Sequence, residues 1–421
     1  MARIARALRH RNFRLFMSGQ LFALIGYWMQ SVAQGWLIYR VTGSATLLGV
    51  LGFASSLPVI VIAPLAGLWS DRWNRHRAMF TVQVLEMIQA SLLAGLALSG
   101  LLQPWHVIAL AMLLGLLVAI ELPLRHAYLL ELVDDKQDLP NAIAVTSLMA
   151  NCGRLVGPTL AGLAIGWFSE AFCFLVNALS FVAVIVTFMM IRVTPGVRAA
   201  THPPVLKGLQ EGLAYAWNFL PIRLLLMLLM LMGLLAAPYG NLMPALVRTV
   251  FQGDATQLGY FMAASGLGGV LGTLYLAARP SVRGLLRVLS TASFAAGTAL
   301  ALLAWSPTVW LAAPLLVVIG FGMLVTSVSV NMILQTIVED DKRGRIMSLY
   351  TTAFLGMAPF GSLAAGALAD QIGIAATLTL GGVCCAIAAS YIAWRRPQLR
   401  AHVEPIYARL GILQKGVTGD S

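Results

Sequence analysis

Four ionisable side chains fall inside or at the end of long apolar runs, where a charge is costly. Arg154 stands in the middle of one run, and Glu86 about a third of the way along another. Glu121 lies near the end of a third, with Arg125 four residues on and on the same helical face. A guanidinium stays charged at any working pH, so Arg154 needs an acceptor or a wet cavity. It either holds an anionic group of a substrate, tunes a carboxylate, or clamps carbonyls of neighbouring helices. Glu86 is the best protonatable group for proton coupling. Burial favours a protonated carboxylate and an approaching arginine an ionised one, so the two together can tie proton binding to a conformation. The alternative is a glutamate that stays protonated, or reaches to the surface, outside any substrate path.

Uncharged polar residues recur at helical spacing. Tyr27, Gln30 and Gln34 fall at i, i+3 and i+7, and Asn331 and Gln335 at i and i+4; Asn241 sits between Pro238 and Pro244, beside Tyr239. Each set either faces a substrate cavity or makes interhelical hydrogen bonds. No phosphate-binding glycine loop, H-E-x-x-H or G-x-S-x-G is found in a plausible setting, so neither an enzyme nor direct ATP use is expected. Cys152, Cys173, Cys384 and Cys385 all lie in apolar runs and form no metal pattern. No metal and no cofactor are expected; a proton gradient would supply the energy.

These residues must be positioned by membrane helices. The chain is 59% hydrophobic and 10% charged, with mean hydropathy +0.83, where soluble domains carry about 25% charged residues. Apolar runs cover about 15–39, 46–69, 78–100, 105–125, 142–166, 171–192, 223–247, 256–278, 286–304, 309–335, 347–368 and 374–394. A span needs about 20 apolar residues, so the expected fold is all-α and polytopic, with twelve transmembrane helices. The net charge of +12 does not call for nucleic acid as a partner, because the basic residues lie between the runs. Among the connections, Arg40 and Arg248 fall on one alternate set, and the other lysines and arginines on the opposite set, which places both termini in the cytoplasm. No removable signal peptide is read.

Residues 193–222 form the longest polar connection, with prolines around Leu206–Leu213, and read as a linker carrying an interfacial helix. They divide a cytoplasmic arm (1–14) and a six-helix bundle (15–192) from a second bundle (223–394) and a cytoplasmic tail (395–421). The halves echo each other. Leu132-Val133-Asp134-Asp135-Lys136 resembles Ile337 through Lys342, and Gly157 through Gly162 resembles Gly361 through Gly366. Two parallel six-helix repeats are a transporter architecture.

The loop Gly67-Leu68-Trp69-Ser70-Asp71-Arg72-Trp73-Asn74-Arg75-His76-Arg77 resembles the signature between helices 2 and 3 of the major facilitator superfamily, matching at Gly67, Asp71, Arg72 and Arg75. Asn74 replaces a glycine and is expected to tolerate a left-handed backbone. Gly153-x-x-x-Gly157-Pro158-x-x-Ala161-Gly162 resembles that superfamily's antiporter motif. Pro123–Ala127, Glu131–Val133, Leu139–Ala142, Asn151–Pro158, Asn331–Gln335 and Arg343–Tyr350 resemble a bacterial subgroup that includes enterobactin and macrolide exporters.

The resemblance implies two pseudo-symmetric bundles in a bacterial inner membrane, working as a monomer by alternating access. It implies a cytoplasmic gate of Asp71 and Arg75 with Arg72, Arg77, Glu121 and Arg125, and a central cavity lined by helices 1, 7 and 10. The expected activity is proton-coupled efflux of a small amphipathic molecule, a drug or siderophore-like metabolite. Uptake or uniport on the same fold, and a non-transporting sensor or assembly partner, are the alternatives.

Overall fold

A computed structural model of the chain describes residues 6–70, 73–133, 135–192, 205–279 and 281–411, without the side chains of 64–65, 67–70, 136, 205–211 and 340. Among the described residues every regular element is helical. The first six long helices are α1 (Arg11–Thr42), α2 (Ala45–Ser70), α3 (Arg75–Leu98), α4 (Pro104–Leu132), α5 (Leu139–Trp167) and α6 (Glu170–Met190). They are followed by α7 (Val205–Asn218), α8 (Leu220–Leu231), α9 (Tyr239–Thr249), α10 (Ala255–Ala277), α11 (Leu285–Leu303) and α12 (Val309–Ile337). The last four are α13 (Asp340–Phe354), α14 (Ala358–Ile372), α15 (Ile374–Trp394) and α16 (Arg396–Arg409).

Among the described residues, eleven helical stretches are long and apolar enough to cross a bilayer, two of them built from consecutive helices, Leu220–Thr249 and Asp341–Ile372. The twelfth expected span, α1, has ample length at 32 residues. Its Arg11, Arg14, Gln20, Gln30 and Gln34 hold its hydropathy down. The polytopic all-helical fold is therefore as expected, and α7 lies where a linker helix was expected.

Local chemistry sets the ends of the helices. Gly43 closes α1 in the left-handed region (φ 65°), its N–H reaching Tyr39 O at 2.8 Å. Asn74 is not left-handed. It is extended (φ −70°, ψ 107°), and its side chain accepts from Arg77 N at 3.0 Å, which makes it the N-cap of α3. The expectation for this residue is corrected accordingly: Asn stands there because it caps a helix.

Two of the expected spans are broken. Between α8 and α9 the chain makes a π turn over Met232–Ala236, with Ala237 N bonded to Met232 O at 2.8 Å ahead of Pro238. Between α13 and α14 it turns at Leu355–Met357, before Pro359. Proline has no N–H to continue a helical ladder, which accounts for both positions.

The structure sorts into two compact units. One comprises Met1–His202, Gly240–Gly266 and Ser362–Ile374; the other Pro203–Tyr239, Leu267–Gly361 and Ala375–Ser421. Segments 240–266 and 362–374 thus group with the first six helices.

In the first unit, α1, α3, α4, α5 and α6 share a core around Phe13, Phe16, Met79, Tyr128 and Phe188. The Tyr128 and Phe188 rings stack with centroids 5.8 Å apart, Phe16 meets both edge-on, and His76 Nδ1 bonds Tyr128 Oη at 2.7 Å. The start of α2 is capped from α14. Asp370 accepts from Ala45 N (2.8 Å), Thr46 N (2.9 Å) and Ser44 Oγ (2.9 Å). A carboxylate at a helix N-terminus is favoured by the helix dipole.

In the second unit the two broken spans meet: a Cβ on Gly233 would stand 2.5 Å from Phe354 O. α16 lies along α8 and α12, burying Leu399, Val403 and Tyr407.

Candidate transport site

A buried polar cluster of the first unit lies between α1, α3 and α4. Gln83, Glu86, Gln20 and Glu121 are all buried. Gln83 Nε2 donates to Glu86 Oε2 (3.1 Å) and to Glu121 Oε1 (3.0 Å), while Gln83 Oε1 accepts from Gln20 Nε2 (3.4 Å). Arg125 Nη2 donates to Glu121 Oε1 and, at 3.3 Å, to Gln20 Oε1. Glu86 Oε1 has no described hydrogen-bond partner. The cluster holds two carboxylates and one guanidinium, so it is neutral only when it holds one proton. An uncompensated buried charge is far costlier than a proton taken up, which is why such groups neutralise.

The resemblance places Glu121 and Arg125 with Asp71 and Arg75 at a gate; among the described residues, Glu121 and Arg125 bond each other, Gln83 and Gln20, and Gln83 links them to Glu86. Arg75 pairs with Glu131 at 3.0 Å, tying the start of α3 to the end of α4. The Arg77 side chain is exposed. Asp71 and Arg72 lie outside the described residues, as do the surroundings of Gly67.

Arg154 makes no hydrogen bond or ion pair with Glu86. It is exposed on the first unit, its guanidinium carbon 5.3 Å from the Trp28 ring centroid. Tyr27 meets Trp28 edge-on (5.7 Å, 85°) and lies within electrostatic reach of Glu86, Glu121 and Arg154.

Gln30 is fully buried. Its Nε2 donates to Gln89 Oε1 (3.3 Å) and its Oε1 accepts from Asn177 Nδ2 (2.8 Å), while Gln89 Nε2 donates to Leu110 O (3.1 Å). This placement is that of an interhelical bond joining α1, α3, α4 and α6, not of a residue open to a cavity. Gln34 is also buried, one turn on. Asn241 Nδ2 donates to Ser362 Oγ at 2.7 Å, joining α9 to α14 just past the two helix breaks. Tyr239 begins α9. Gln335 Nε2 donates to Asn331 Oδ1 at 2.6 Å, and Asn331 also bonds Tyr350, whose hydroxyl donates to Ser327 O at 3.1 Å. Gln335 remains exposed on the second unit.

The small residues of α5 are surfaces of close approach. A Cβ on Gly153 would stand 2.6 Å from Leu24 Cγ, and one on Gly157 2.5 Å from Trp28 Cβ, so both fit α5 against α1. Gly162 meets α10: its Cβ would stand 2.7 Å from Ala255 O and 2.8 Å from Gly259 Cα, and Gly259 also approaches Pro158 O. Gly366 meets Gly49 on α2 in the same manner, at 2.9 Å to its Cα. The echo between 157–162 and 361–366 is thus an echo of packing. Because backbone cannot retreat as a side chain can, Gly162→Leu is expected to destabilise the protein by at least about 1–3 kcal/mol. A lowered midpoint of thermal unfolding in detergent checks this; an unchanged midpoint would mean the α5–α10 approach is loose.

Gln20, Gln83, Gln89, Asn177 and Glu131 were missed as site residues. A signal for two of them exists in α3, where Gln83 and Gln89 stand three residues before and after Glu86. Among the described residues, no three His, Cys, Asp or Glu side chains are grouped so as to hold a metal ion.

The major facilitator family described as "Transmembrane secretion effector" (MFS_3) matches residues 4–407. The chain belongs to this family. Transmembrane secretion effectors are membrane transporters, not enzymes, and relatives across them support that activity here. The chain is 26% identical over 373 residues to the staphyloferrin A transporter of Staphylococcus aureus, covering 88% of this chain and 92% of that one. It is 27% identical over 372 residues to the multidrug efflux pump Tap of Mycolicibacterium fortuitum, covering 86% and 90%. Among solved structures, the nucleoside transporter NupG has a TM-score of 0.72 at 14% identity, covering 92% of this chain and 98% of its own. A bacterial homologue of the iron transporter ferroportin, in an inward-facing state, has a TM-score of 0.70 at 15% identity, covering 91% and 98%. These two likenesses establish the fold alone.

Proposed function

We propose that this transmembrane secretion effector exports a small amphipathic molecule in exchange for protons, across a bacterial inner membrane with both termini in the cytoplasm. The observation that carries the reading is the cluster of buried Glu86 and Glu121 with half-buried Arg125, which balances its charge only by holding one proton. A transporter that must take up and release a proton as it changes conformation needs such a group, and intramembrane carboxylates are the usual ones. The names of the relatives, multidrug efflux pump and macrolide efflux protein among them, support export. The energy comes from the proton gradient with no cofactor, and the carrier works as a monomer in the bilayer.

In this reading Gly67, Asp71, Arg72 and Arg77 form the cytoplasmic gate with the Arg75–Glu131 pair, which breaks when the carrier opens inward. Gly153, Gly157, Pro158 and Gly162 form the hinge surfaces of α5. Tyr27, Gln34, Tyr239, Asn241, Asn331 and Gln335 supply polar contacts toward the substrate path.

The test is transport by the purified protein in proteoliposomes under an imposed pH gradient, over a panel of dyes and macrolides. Antiport predicts substrate movement against the inward flow of protons and its collapse with a protonophore. Movement with the protons would replace export by symport, and indifference to the gradient would replace it by uniport.

A further inference from the structure

Arg154 is used by nothing in the proton cluster, yet its setting is built. It lies midway along the 29-residue α5. Gly153 and Gly157, on either side, lie flush on α1, and Gly266 of α10 packs against the Arg154 carbonyl (its Cβ would stand 3.3 Å away). Three helices therefore fix the backbone from which the side chain springs. The guanidinium carbon stands 5.3 Å from the Trp28 ring centroid, within cation–π range, and the side chain is exposed, with no hydrogen bond to or ion pair with any described residue. The nearby acids are engaged elsewhere: Glu86 bonds Gln83, and Glu121 bonds Gln83 and Arg125.

A guanidinium in cation–π contact that makes no hydrogen bond keeps its N–H groups for a ligand, and their fork matches a carboxylate in two-point geometry. A permanently charged group at this depth is retained at a cost and needs an anion within reach. The same ligand must also lie along Trp28 and Tyr27, which offer an aromatic surface beside the charge.

We infer that Arg154, Trp28 and Tyr27 form the recognition site for an amphipathic organic anion, a carboxylate carried on an aromatic or otherwise flat apolar body. The inference names the substrate class of the transporter proposed above. It rests on the transport reading and not on proton coupling, and the two fail separately: gradient-indifferent transport removes antiport and leaves anion recognition standing.

The experiment is equilibrium binding to the full-length protein in nanodiscs of phosphatidylcholine, read as ligand-induced thermal stabilisation. Three probes share one body: pyrenebutyrate, its methyl ester, and the matching trimethylammonium compound. The expected order is anion over ester and cation by at least about tenfold in affinity, since a charge-assisted pair is at stake. Arg154→Gln should lower anion affinity by about 10- to 100-fold and leave ester and cation where they were. Arg154→Lys, a point charge without the fork, should recover part of the loss.

Trp28→Phe removes the indole and keeps an aromatic ring. It should weaken the anion by a smaller factor, and it carries the test if Arg154→Gln does not fold. Binding led by the cation, equal anion affinity in wild type and Arg154→Gln, or no stabilisation by any probe would each overturn the inference. So would loss of pyrenebutyrate binding on adding phosphatidylglycerol, which would assign the arginine to a lipid headgroup.

Discussion

Glu86→Gln is expected to abolish pH-gradient-driven accumulation in proteoliposomes while the protein remains folded. A gradient of one pH unit is worth about 1.4 kcal/mol per proton, so wild type exchanging one proton per substrate builds up to about a tenfold concentration ratio. The variant should stop at a ratio of one. The physical reason is local. Glu86 is 4% exposed, its Oε2 accepts from Gln83 at 3.1 Å, and its Oε1 has no described partner. Arg125 pairs with Glu121, which leaves Glu86 without an ion-pair partner and makes it the carboxylate that the proposed proton would occupy.

Glutamine has nearly the same shape as a protonated glutamic acid and can keep the bond to Gln83. The substitution therefore removes the titration and spares the packing. Passive exchange of substrate down its own gradient should persist, because a neutral side chain mimics one of the two states the carrier visits. Wild-type accumulation that survives in Glu86→Gln would return this residue to a structural role and move the coupling site elsewhere.

The membrane fold was legible because a bilayer leaves few solutions. Runs of about 20 apolar residues become helices, since no other structure satisfies its own backbone in lipid. The sequence pattern could not foresee that Leu220–Thr249 and Asp341–Ile372 each break. Apolar length alone does not say whether a proline is absorbed by a bend, and the approach of Gly233 to Phe354 O beside both breaks cannot be read from either segment by itself.

At the site, what could be read was which residues are costly, and what could not was whom they pair with. Glu86, Glu121, Arg125 and Arg154 stand out from one sequence because charge is rare at membrane depth. Their partners depend on which turns of α1, α3 and α4 face each other. Periodicity within one helix gives a face but not the register between helices. Arg125 and Glu121 look in sequence like neighbours of the 67–77 loop, four residues apart on one helix end. In three dimensions they point to Gln20 and Gln83. Gln30 shows the same limit in reverse. Its spacing with Tyr27 and Gln34 suits a cavity face, and the structure spends it on Gln89 and Asn177. A polar residue on a buried helix face carries the same letter whether it meets a substrate or another glutamine.

Arg125→Met is expected to be among the most destabilising single changes in the first unit. The side chain it removes donates to Glu121 and Gln20, and without it the Gln83 amide alone holds two buried carboxylates. Breaking a buried pair by removing one partner costs about 3–5 kcal/mol, because the other charge is stranded. A large fall in the thermal midpoint of the purified protein would report it. Adding Glu121→Gln should recover most of the loss, since the stranded charge goes and an amide can still accept from Gln83. Additive losses in the double variant would show that Arg125 acts through packing of its aliphatic stem.

The double variant also separates stability from coupling. It keeps Glu86 and Gln83 while removing the ion pair beside them. If Glu86 alone carries the proton, gradient-driven efflux should survive in the double variant and fail in Glu86→Gln. If efflux fails in both, the working unit is the three-residue charge cluster, whose single proton moves between two carboxylates held 3.0–3.1 Å from one amide nitrogen.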